Sequence, residues 1–83
     1  MDDREATARA MGERLLRARV MAGLSRKDLA ERLSVTRQTV RNYEIGTSEP
    51  KVEALAKWSV VCGVSIDWLV FGDPPEPHEA TGR

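Results

Sequence analysis

The chain has 83 residues, one cysteine, and equal numbers of acidic and basic side chains, so its net charge is zero. This length suits one small domain, a single cysteine excludes an intramolecular disulfide, and no apolar run reaches the roughly 20 residues that span a bilayer. We therefore expect a small cytoplasmic domain without a signal peptide, whose limited core favours support from a second copy.

Apolar residues at helical spacing predict a first helix over residues 7–22, after a flexible N-terminus at residues 1–6. Gly23 is placed to end this helix, because glycine adopts the left-handed conformation of a C-cap without strain. The residues predicted to face inward are Met11, Leu15, Ala18 and Met21.

Two short helices follow, separated by a turn at residues 34–35. Ser25, with Asp28 three residues later, predicts the N-cap of the second helix, and Thr36 predicts that of the third, which runs to about residue 44. The inward residues predicted for this pair are Leu29, Ala30, Leu33, Val40 and Tyr43. The outward residues of the third helix are Arg37, Gln38, Arg41 and Asn42. Such a pair predicts a helix-turn-helix, whose second helix fits the major groove of DNA.

A loop at residues 47–50 leads to a fourth helix at residues 52–62, and Ser65 is predicted to cap a short fifth helix at residues 66–70. The inward residues predicted for the fourth helix are Val52, Leu55, Trp58 or Ser59, and Cys62. No segment shows the alternating pattern of a strand, so five helices account for the ordered chain.

The C-terminal residues 73–83 contain three prolines and no apolar period, which predicts a disordered tail. Residues 7–72 are therefore expected to form the one folded domain.

Charge is distributed unevenly along the chain. Residues 9–41 carry nine basic and three acidic side chains, a net charge of +6, whereas residues 42–83 carry three basic and seven acidic ones, a net charge of −4. One part of the molecule is thus suited to face a polyanion.

Short motifs in and between the predicted helices point to a family. They are Gly12-Glu13-Arg14-Leu15, Gly23-Leu24-Ser25, Asp28-Leu29-Ala30-Glu31-Arg32-Leu33, Val40-Arg41-Asn42-Tyr43-Glu44 and Gly63-Val64-Ser65-Ile66-Asp67-Trp68-Leu69. In order and spacing, over about residues 11–72, they resemble the Cro/C1-type phage-repressor helix-turn-helix family. The resemblance implies an all-α, five-helix lambda-repressor-like fold. It also implies a dimeric regulator of transcription that binds an operator in double-stranded DNA without a cofactor or small-molecule ligand.

The resemblance also implies roles for single residues. Those that match base-reading positions are Arg37, Gln38, Arg41 and Asn42. Those that match phosphate-binding positions are Arg19, Arg26, Thr36, Thr39, Thr47 and Lys51. Arginine can donate two parallel hydrogen bonds to guanine, and glutamine or asparagine can make a bidentate contact with adenine. Arg19 and Glu44 match a pair that ties the first helix to the end of the third.

Several positions depart from the family pattern. Ser34 stands where the turn glycine is common, which implies roughly 1 kcal/mol of strain or a different turn. Arg26 stands where glutamine is common, and Lys51 where a capping serine is common, so the fourth helix is expected to begin less firmly. Ala18 is smaller and Trp58 larger than the leucines usual at their sites, and we expect Trp58 to fill the space over Ala18.

Some apolar residues stand at positions where the family is generally polar, which indicates a contact between two copies. They are Leu16, Val20, Val60 and Trp68. The residues predicted for this dimer interface are Val60, Val64, Trp68 and Phe71. A two-fold contact there would space the DNA half-sites at about 34 Å. The alternative is that Trp68 only covers the base of the core.

Enzymatic functions lack the groups they need. His78 is the one histidine, Cys62 the one cysteine, and no pair of carboxylates suits acid–base catalysis. We expect no catalytic residue and no metal site. The alternative function left open is an antitoxin or adaptor of the same fold, which would act by binding another protein.

Overall fold

The structure, a computed structural model, describes residues 3–72 of the chain. It contains five helices, α1 (Asp3–Met21), α2 (Arg26–Leu33), α3 (Arg37–Ile45), α4 (Val52–Cys62) and α5 (Ile66–Phe71). The described residues include no strand, so the predicted all-α, five-helix fold is confirmed. Within residues 3–72, no helix has the length and apolar character needed to cross a membrane. The predicted tail, residues 73–83, lies outside the described residues.

The first helix begins earlier than its sequence pattern predicts. Residues 3–6, which the sequence pattern places before the helix, form its first turn. Asp3 and Glu5 lie in this turn, where negative charge stabilises the positive end of the helix dipole. Residues 3–7 are all exposed. A turn without a buried face leaves no apolar period, which is why periodicity did not reveal it.

The core is built from all five helices. Its buried members are Met11, Leu15 and Ala18 of α1, Leu29, Ala30 and Leu33 of α2, Val40 of α3, Leu55 and Trp58 of α4, and Leu69 of α5. The predicted inward residues are confirmed with two exceptions, since Met21 and Val52 are exposed. Met21 is the last residue of α1 and Val52 the first of α4. At these two ends the apolar face of the helix extends beyond the neighbouring helices that bury the rest of it.

Trp58 is the largest side chain in the centre of this core. It is fully buried, as is Ala18, and the exchange of volume between them stays a prediction. Its indole nitrogen Nε1 donates a hydrogen bond to the Leu15 carbonyl oxygen at 3.2 Å, and its ring lies 6.2 Å from that of Tyr43. Trp58 therefore joins α4 to α1 and α3, with its one polar atom satisfied.

The crossing of α1 and α3 is unusually close at Gly12. A Cβ atom at this position would lie 2.5 Å from the Glu44 carbonyl oxygen and 2.8 Å from that of Tyr43. Both of these atoms belong to the backbone, which cannot swing aside as a flexible side chain can. Gly12 thus allows the end of α3 to rest directly on α1, and this contact sets the position of α3.

The turn between α2 and α3 has the conformation that a glycine would favour. Ser34 adopts the left-handed φ of 60° and ψ of 43°, so of the two alternatives predicted for this turn the left-handed one is confirmed. The predicted caps are also confirmed. Ser25 and Asp28 form a capping box at the start of α2, and the Thr36 side chain accepts a hydrogen bond from the Thr39 amide at the start of α3. Lys51 precedes α4 without a side-chain cap.

The last helix, α5, is held to α1 by two arginines. Arg14 donates from Nε to the Leu69 carbonyl oxygen at 2.9 Å and from Nη2 to that of Val70 at 2.7 Å. A cation at these last carbonyls also stabilises the negative end of the helix dipole. The guanidinium of Arg17 lies over the Trp68 ring, 5.8 Å from its centre.

Candidate nucleic-acid interface

One side of α3 and the first turn of α2 form an open cleft. The side chains that line it are those of Ser25, Arg26, Lys27, Arg37, Gln38 and Arg41. We call it the basic cleft, because four of these six side chains are cationic and none is a carboxylate. Three of the four residues predicted to read bases, Arg37, Gln38 and Arg41, lie here and are exposed. The cleft thus combines positive potential with hydrogen-bonding groups suited to base edges.

The start of α3 carries two threonine hydroxyls that were predicted to contact phosphate. The Oγ1 atoms of Thr36 and Thr39 lie 2.9 Å apart and share a hydrogen bond. The first turn of α3 contains no acidic residue, so nothing there offsets the positive end of its dipole. This end of the helix is chemically suited to an anion, as helix N-termini in general are.

A buried carboxylate, that of Glu44, lies behind the basic cleft. It accepts hydrogen bonds from Arg19 Nε at 2.6 Å and Nη2 at 3.2 Å, which confirms the predicted pair between α1 and the end of α3. It also accepts one from Arg26 Nε at 3.0 Å. Two cations on different helices thus converge on one carboxylate, which compensates its burial and ties α1, α2 and α3 together.

The two arginines on Glu44 differ in what they leave exposed. Arg19 also donates from Nη1 to the Leu24 carbonyl oxygen at 2.9 Å, and only 12% of its side chain is exposed. The side chain of Arg26 is 38% exposed and lines the basic cleft. Arg19 therefore serves as an internal tie, and its phosphate contact stays a prediction. Arg26 is held through its Nε atom, while the rest of its side chain lines the basic cleft.

A second concavity lies on the opposite side of α3, between that helix and α4. Its lining includes Thr39, Asn42 and Lys51, and also Glu49 and Glu53. Asn42 thus borders this concavity rather than the basic cleft, in contrast to the other three residues predicted to read bases. Asn42 is half-buried, and its Oδ1 accepts a hydrogen bond from Gln38 Nε2 at 2.9 Å. The carboxylates beside Lys51 make this side less attractive to phosphate than the basic cleft.

Thr47 lies in the loop after α3 and is exposed. Its hydroxyl donates to the Asn42 carbonyl oxygen at 3.3 Å. Together with Ser48 and Glu49 it borders a concavity that reaches the first turns of α1. The predicted phosphate contact of Thr47 would therefore lie away from the basic cleft, and it stays a prediction.

The predicted dimer residues lie on α4, α5 and the turn between them. Val60 and Phe71 are exposed, whereas Val64 and Trp68 are half-buried and pack against the core. The contact of Trp68 with the core agrees with the alternative prediction that it covers the base of the core. The exposed pair leaves apolar surface available, and the dimer contact itself stays a prediction.

Within residues 3–72, no group of histidine, cysteine, aspartate and glutamate side chains is placed to hold a metal ion. Cys62 is half-buried against the core, and burial raises the pKa of its thiol, although the charge of Arg19 acts in the opposite direction. A protonated, half-buried thiol is a weak nucleophile.

Two features of the interface escaped prediction from the sequence. The pairing of Arg26 with Glu44 joins residues 18 positions apart, and no local pattern reveals how α2 crosses α3. The hydrogen bond between Gln38 and Asn42 did have a local signal. Their spacing of four residues places them on one helical face, where glutamine and asparagine stabilise each other.

A search for protein families matches residues 15–69 with a family described as helix-turn-helix. Among curated proteins, the SPbeta prophage-derived uncharacterized HTH-type transcriptional regulator YonR of Bacillus subtilis is 44% identical over 61 residues, which cover 74% of this chain and 56% of that protein. The HTH-type transcriptional regulator ImmR of the same organism is 36% identical over 64 residues, which cover 77% of this chain and 50% of ImmR. The chain spans about half the length of these curated relatives.

Two solved structures have a similar fold. The P22 c2 repressor protein in complex with a synthetic operator aligns with a TM-score of 0.72 at 28% identity, over 76% of this chain and 96% of that one. The restriction-modification controller protein C.AhdI from Aeromonas hydrophila aligns with a TM-score of 0.72 at 25% identity, over 77% of this chain and 97% of that one.

Proposed function

The chain belongs to the Cro/C1-type helix-turn-helix family, and from this premise we propose that it is a sequence-specific, DNA-binding regulator of transcription. In this proposal α3 enters the major groove of double-stranded DNA. The target is an operator, and the protein acts in the cytoplasm where that DNA lies. No cofactor, small-molecule ligand or catalytic step is part of the mechanism.

The observation that carries this proposal is the basic cleft. Arg37, Gln38 and Arg41 are exposed together on α3, while Val40 on the same helix is buried in the core. One face of the helix is thus fixed against the core and the other is exposed and polar, as a helix that reads base edges requires. Arg37 and Arg41 supply donors for guanine N7 and O6, and Gln38 supplies a donor and an acceptor for adenine.

Phosphate contacts hold the helix in the groove and set its register. The residues we assign to them are Arg26, Thr36, Thr39, Thr47 and Lys51. Arg19 is also assigned to phosphate, but its main role is to orient α3 through Glu44. Arg26 is the strongest of these, because Glu44 holds its Nε while its side chain faces the same cleft as Arg37. A fixed guanidinium loses less side-chain entropy when it binds phosphate.

We further propose that two copies bind a two-fold operator. The contact between them would bury the apolar residues Val60, Val64, Trp68 and Phe71, of which Val60 and Phe71 are exposed in the single chain. A closed two-fold contact at α5 would direct the two α3 helices to half-sites about 34 Å apart. Arg14 supports this surface by holding the last carbonyls of α5.

The antitoxin or adaptor function is not favoured, because the relatives named above carry the names of transcriptional regulators and the similar P22 repressor is bound to an operator. The test is a selection of bound sequences from random duplex DNA, followed by binding isotherms at several salt concentrations. A regulator selects a common two-fold sequence, binds it about 10³-fold or more tighter than random DNA, and loses affinity steeply as salt rises. Binding that shows neither preference nor salt dependence would refute the proposal.

A further inference from the structure

Gln38 and Asn42 lie one turn apart on α3 and are joined by a side-chain hydrogen bond. Gln38 Nε2 donates to Asn42 Oδ1 at 2.9 Å. Gln38 is exposed in the basic cleft, whereas Asn42 is half-buried and borders the concavity on the α4 side of the helix. The two amides therefore occupy different environments, although both were predicted to read bases.

Asn42 is held firmly in its place. Its backbone oxygen accepts hydrogen bonds from the amides of Gly46 at 3.1 Å and Thr47 at 3.0 Å. The Thr47 hydroxyl donates to the same oxygen at 3.3 Å. These contacts fix the backbone at the end of α3 and with it the origin of the Asn42 side chain. A half-buried side chain on a fixed backbone can orient a neighbour that is itself exposed.

The bond to Asn42 determines what Gln38 can offer to a ligand. One N–H of Nε2 is committed to Asn42, which leaves one N–H donor and the carbonyl oxygen Oε1 as an acceptor. Adenine presents N7 as an acceptor and N6 as a donor in the major groove, and it is the base that a glutamine contacts with one donor and one acceptor. Guanine presents two acceptors there, so Oε1 would face a like group.

We infer that Asn42 is a positioning residue rather than a base-reading residue, and that it orients the Gln38 amide to select adenine at one position in each half-site. This inference rests on the proposed function. The two arginines beside Gln38 in the basic cleft carry donors only, so they cannot accept the N6 hydrogen of adenine. Among the α3 side chains that line the basic cleft, Gln38 therefore offers the one acceptor for that hydrogen, its Oε1, and the hydrogen bond to Asn42 orients its amide.

The test uses the full chain and the sequence selected by the wild-type protein. The affinity of Gln38→Ala is measured for duplexes in which each position of the selected sequence carries each base pair in turn. The position at which this variant loses base preference is the position where Gln38 acts. At that position the wild-type protein should prefer adenine by about 5- to 150-fold, and Asn42→Ala should lose most of this preference. Affinity of Asn42→Ala for duplexes with another base there should stay close to that of the wild-type protein.

Asn42→Asp is the matched control, because it keeps an oxygen acceptor for Gln38 and adds one negative charge. It should retain the preference for adenine while binding all sequences more weakly. If the role of Asn42 were purely structural, Asn42→Ala would bind all sequences more weakly by the same factor. Its melting temperature, measured by circular dichroism, would also be lower.

Three results would overturn the inference while leaving the proposed function intact. They are a wild-type preference for a base other than adenine at the Gln38 position, an unchanged preference in Asn42→Ala, and a loss of preference in Asn42→Ala at a different position. The last result would show that Asn42 reads a base itself. Failure of the wild-type protein to select any sequence would overturn the proposed function together with this inference.

Discussion

Gly12 and Glu44 meet where α1 and α3 cross, so closely that a Cβ on Gly12 would lie 2.5 Å from the Glu44 carbonyl oxygen. The same Glu44 carries the carboxylate to which Arg19 and Arg26 donate. One short stretch of backbone thus brings together the closest helix contact and the buried ion pairs. Both features hold α3, the helix that carries Arg37, Gln38 and Arg41.

Gly12→Ala should destabilise the domain, although alanine favours helix more than glycine does by about 1 kcal/mol. The added methyl group must push apart two backbones, and overpacking of this kind costs about 1–3 kcal/mol. The free energy of unfolding in urea measures the effect. Glu13→Ala, at the next and exposed position of α1, is the control and should change it little; equal stability of the two variants would contradict the close crossing.

Ser34→Gly should stabilise the domain by about 0.5–1 kcal/mol. The left-handed conformation of Ser34, with φ at 60°, costs an L-residue roughly 1–2 kcal/mol, part of which is offset by the greater backbone entropy of an unfolded glycine. The midpoint of thermal unfolding measures the gain. Ser34→Ala removes the same hydroxyl without relieving the backbone, and a similar gain in that variant would show that the turn is not strained.

Glu44→Gln should destabilise the domain by about 3 kcal/mol, because it leaves the guanidinium of Arg19 largely buried beside a neutral group. The value is at the low end for a buried pair, since Arg26 is 38% exposed and can turn to water. Urea unfolding again measures the loss. The control is Glu53→Gln, which breaks only the exposed pair of Glu53 with Lys57 at 3.6 Å and should cost no more than about 0.5 kcal/mol. A loss in Glu44→Gln no larger than in this control would contradict the account of the buried pair.

Arg26→Ala should weaken binding to all DNA sequences by a similar factor, because phosphate contacts carry no base preference. The slope of log affinity against log salt should fall by about one per protomer, as one phosphate contact is lost. Binding isotherms on selected and random duplexes at several salt concentrations measure both effects. Arg32→Ala removes an exposed cation at the far end of α2 and should leave the slope nearly unchanged. A change of base preference in Arg26→Ala would refute its assignment to phosphate.

Features that depend on neighbours in the chain were predictable from the sequence. The five helices and the caps at Ser25, Thr36 and Ser65 follow from local rules of capping and periodicity. The left-handed turn at Ser34 was one of two alternatives that the family resemblance implied. The first turn of α1 was missed because an exposed turn has no apolar period. Met21 and Val52 fit the helical period, but a period does not tell where the covering helices end.

Features that depend on how helices cross were not predictable. The close approach at Gly12 and the pairing of Arg26 with Glu44 exist only once α1, α2 and α3 are packed. The same packing divides the outward residues of α3 between two concavities. It leaves Arg37, Gln38 and Arg41 in the basic cleft, whereas Asn42, which is bonded to Gln38, borders the concavity toward α4.

The most direct test of the central claim is the base preference of Arg37→Ala. If α3 reads base edges, this variant should bind the selected operator more weakly, by about 5- to 150-fold for each half-site, and lose preference at one base position in each, while its binding to random DNA weakens far less. Lys57→Ala removes the same charge from α4, outside the basic cleft, and should keep the full preference. Equal base preferences in wild-type protein and Arg37→Ala would contradict the claim that this helix reads the operator.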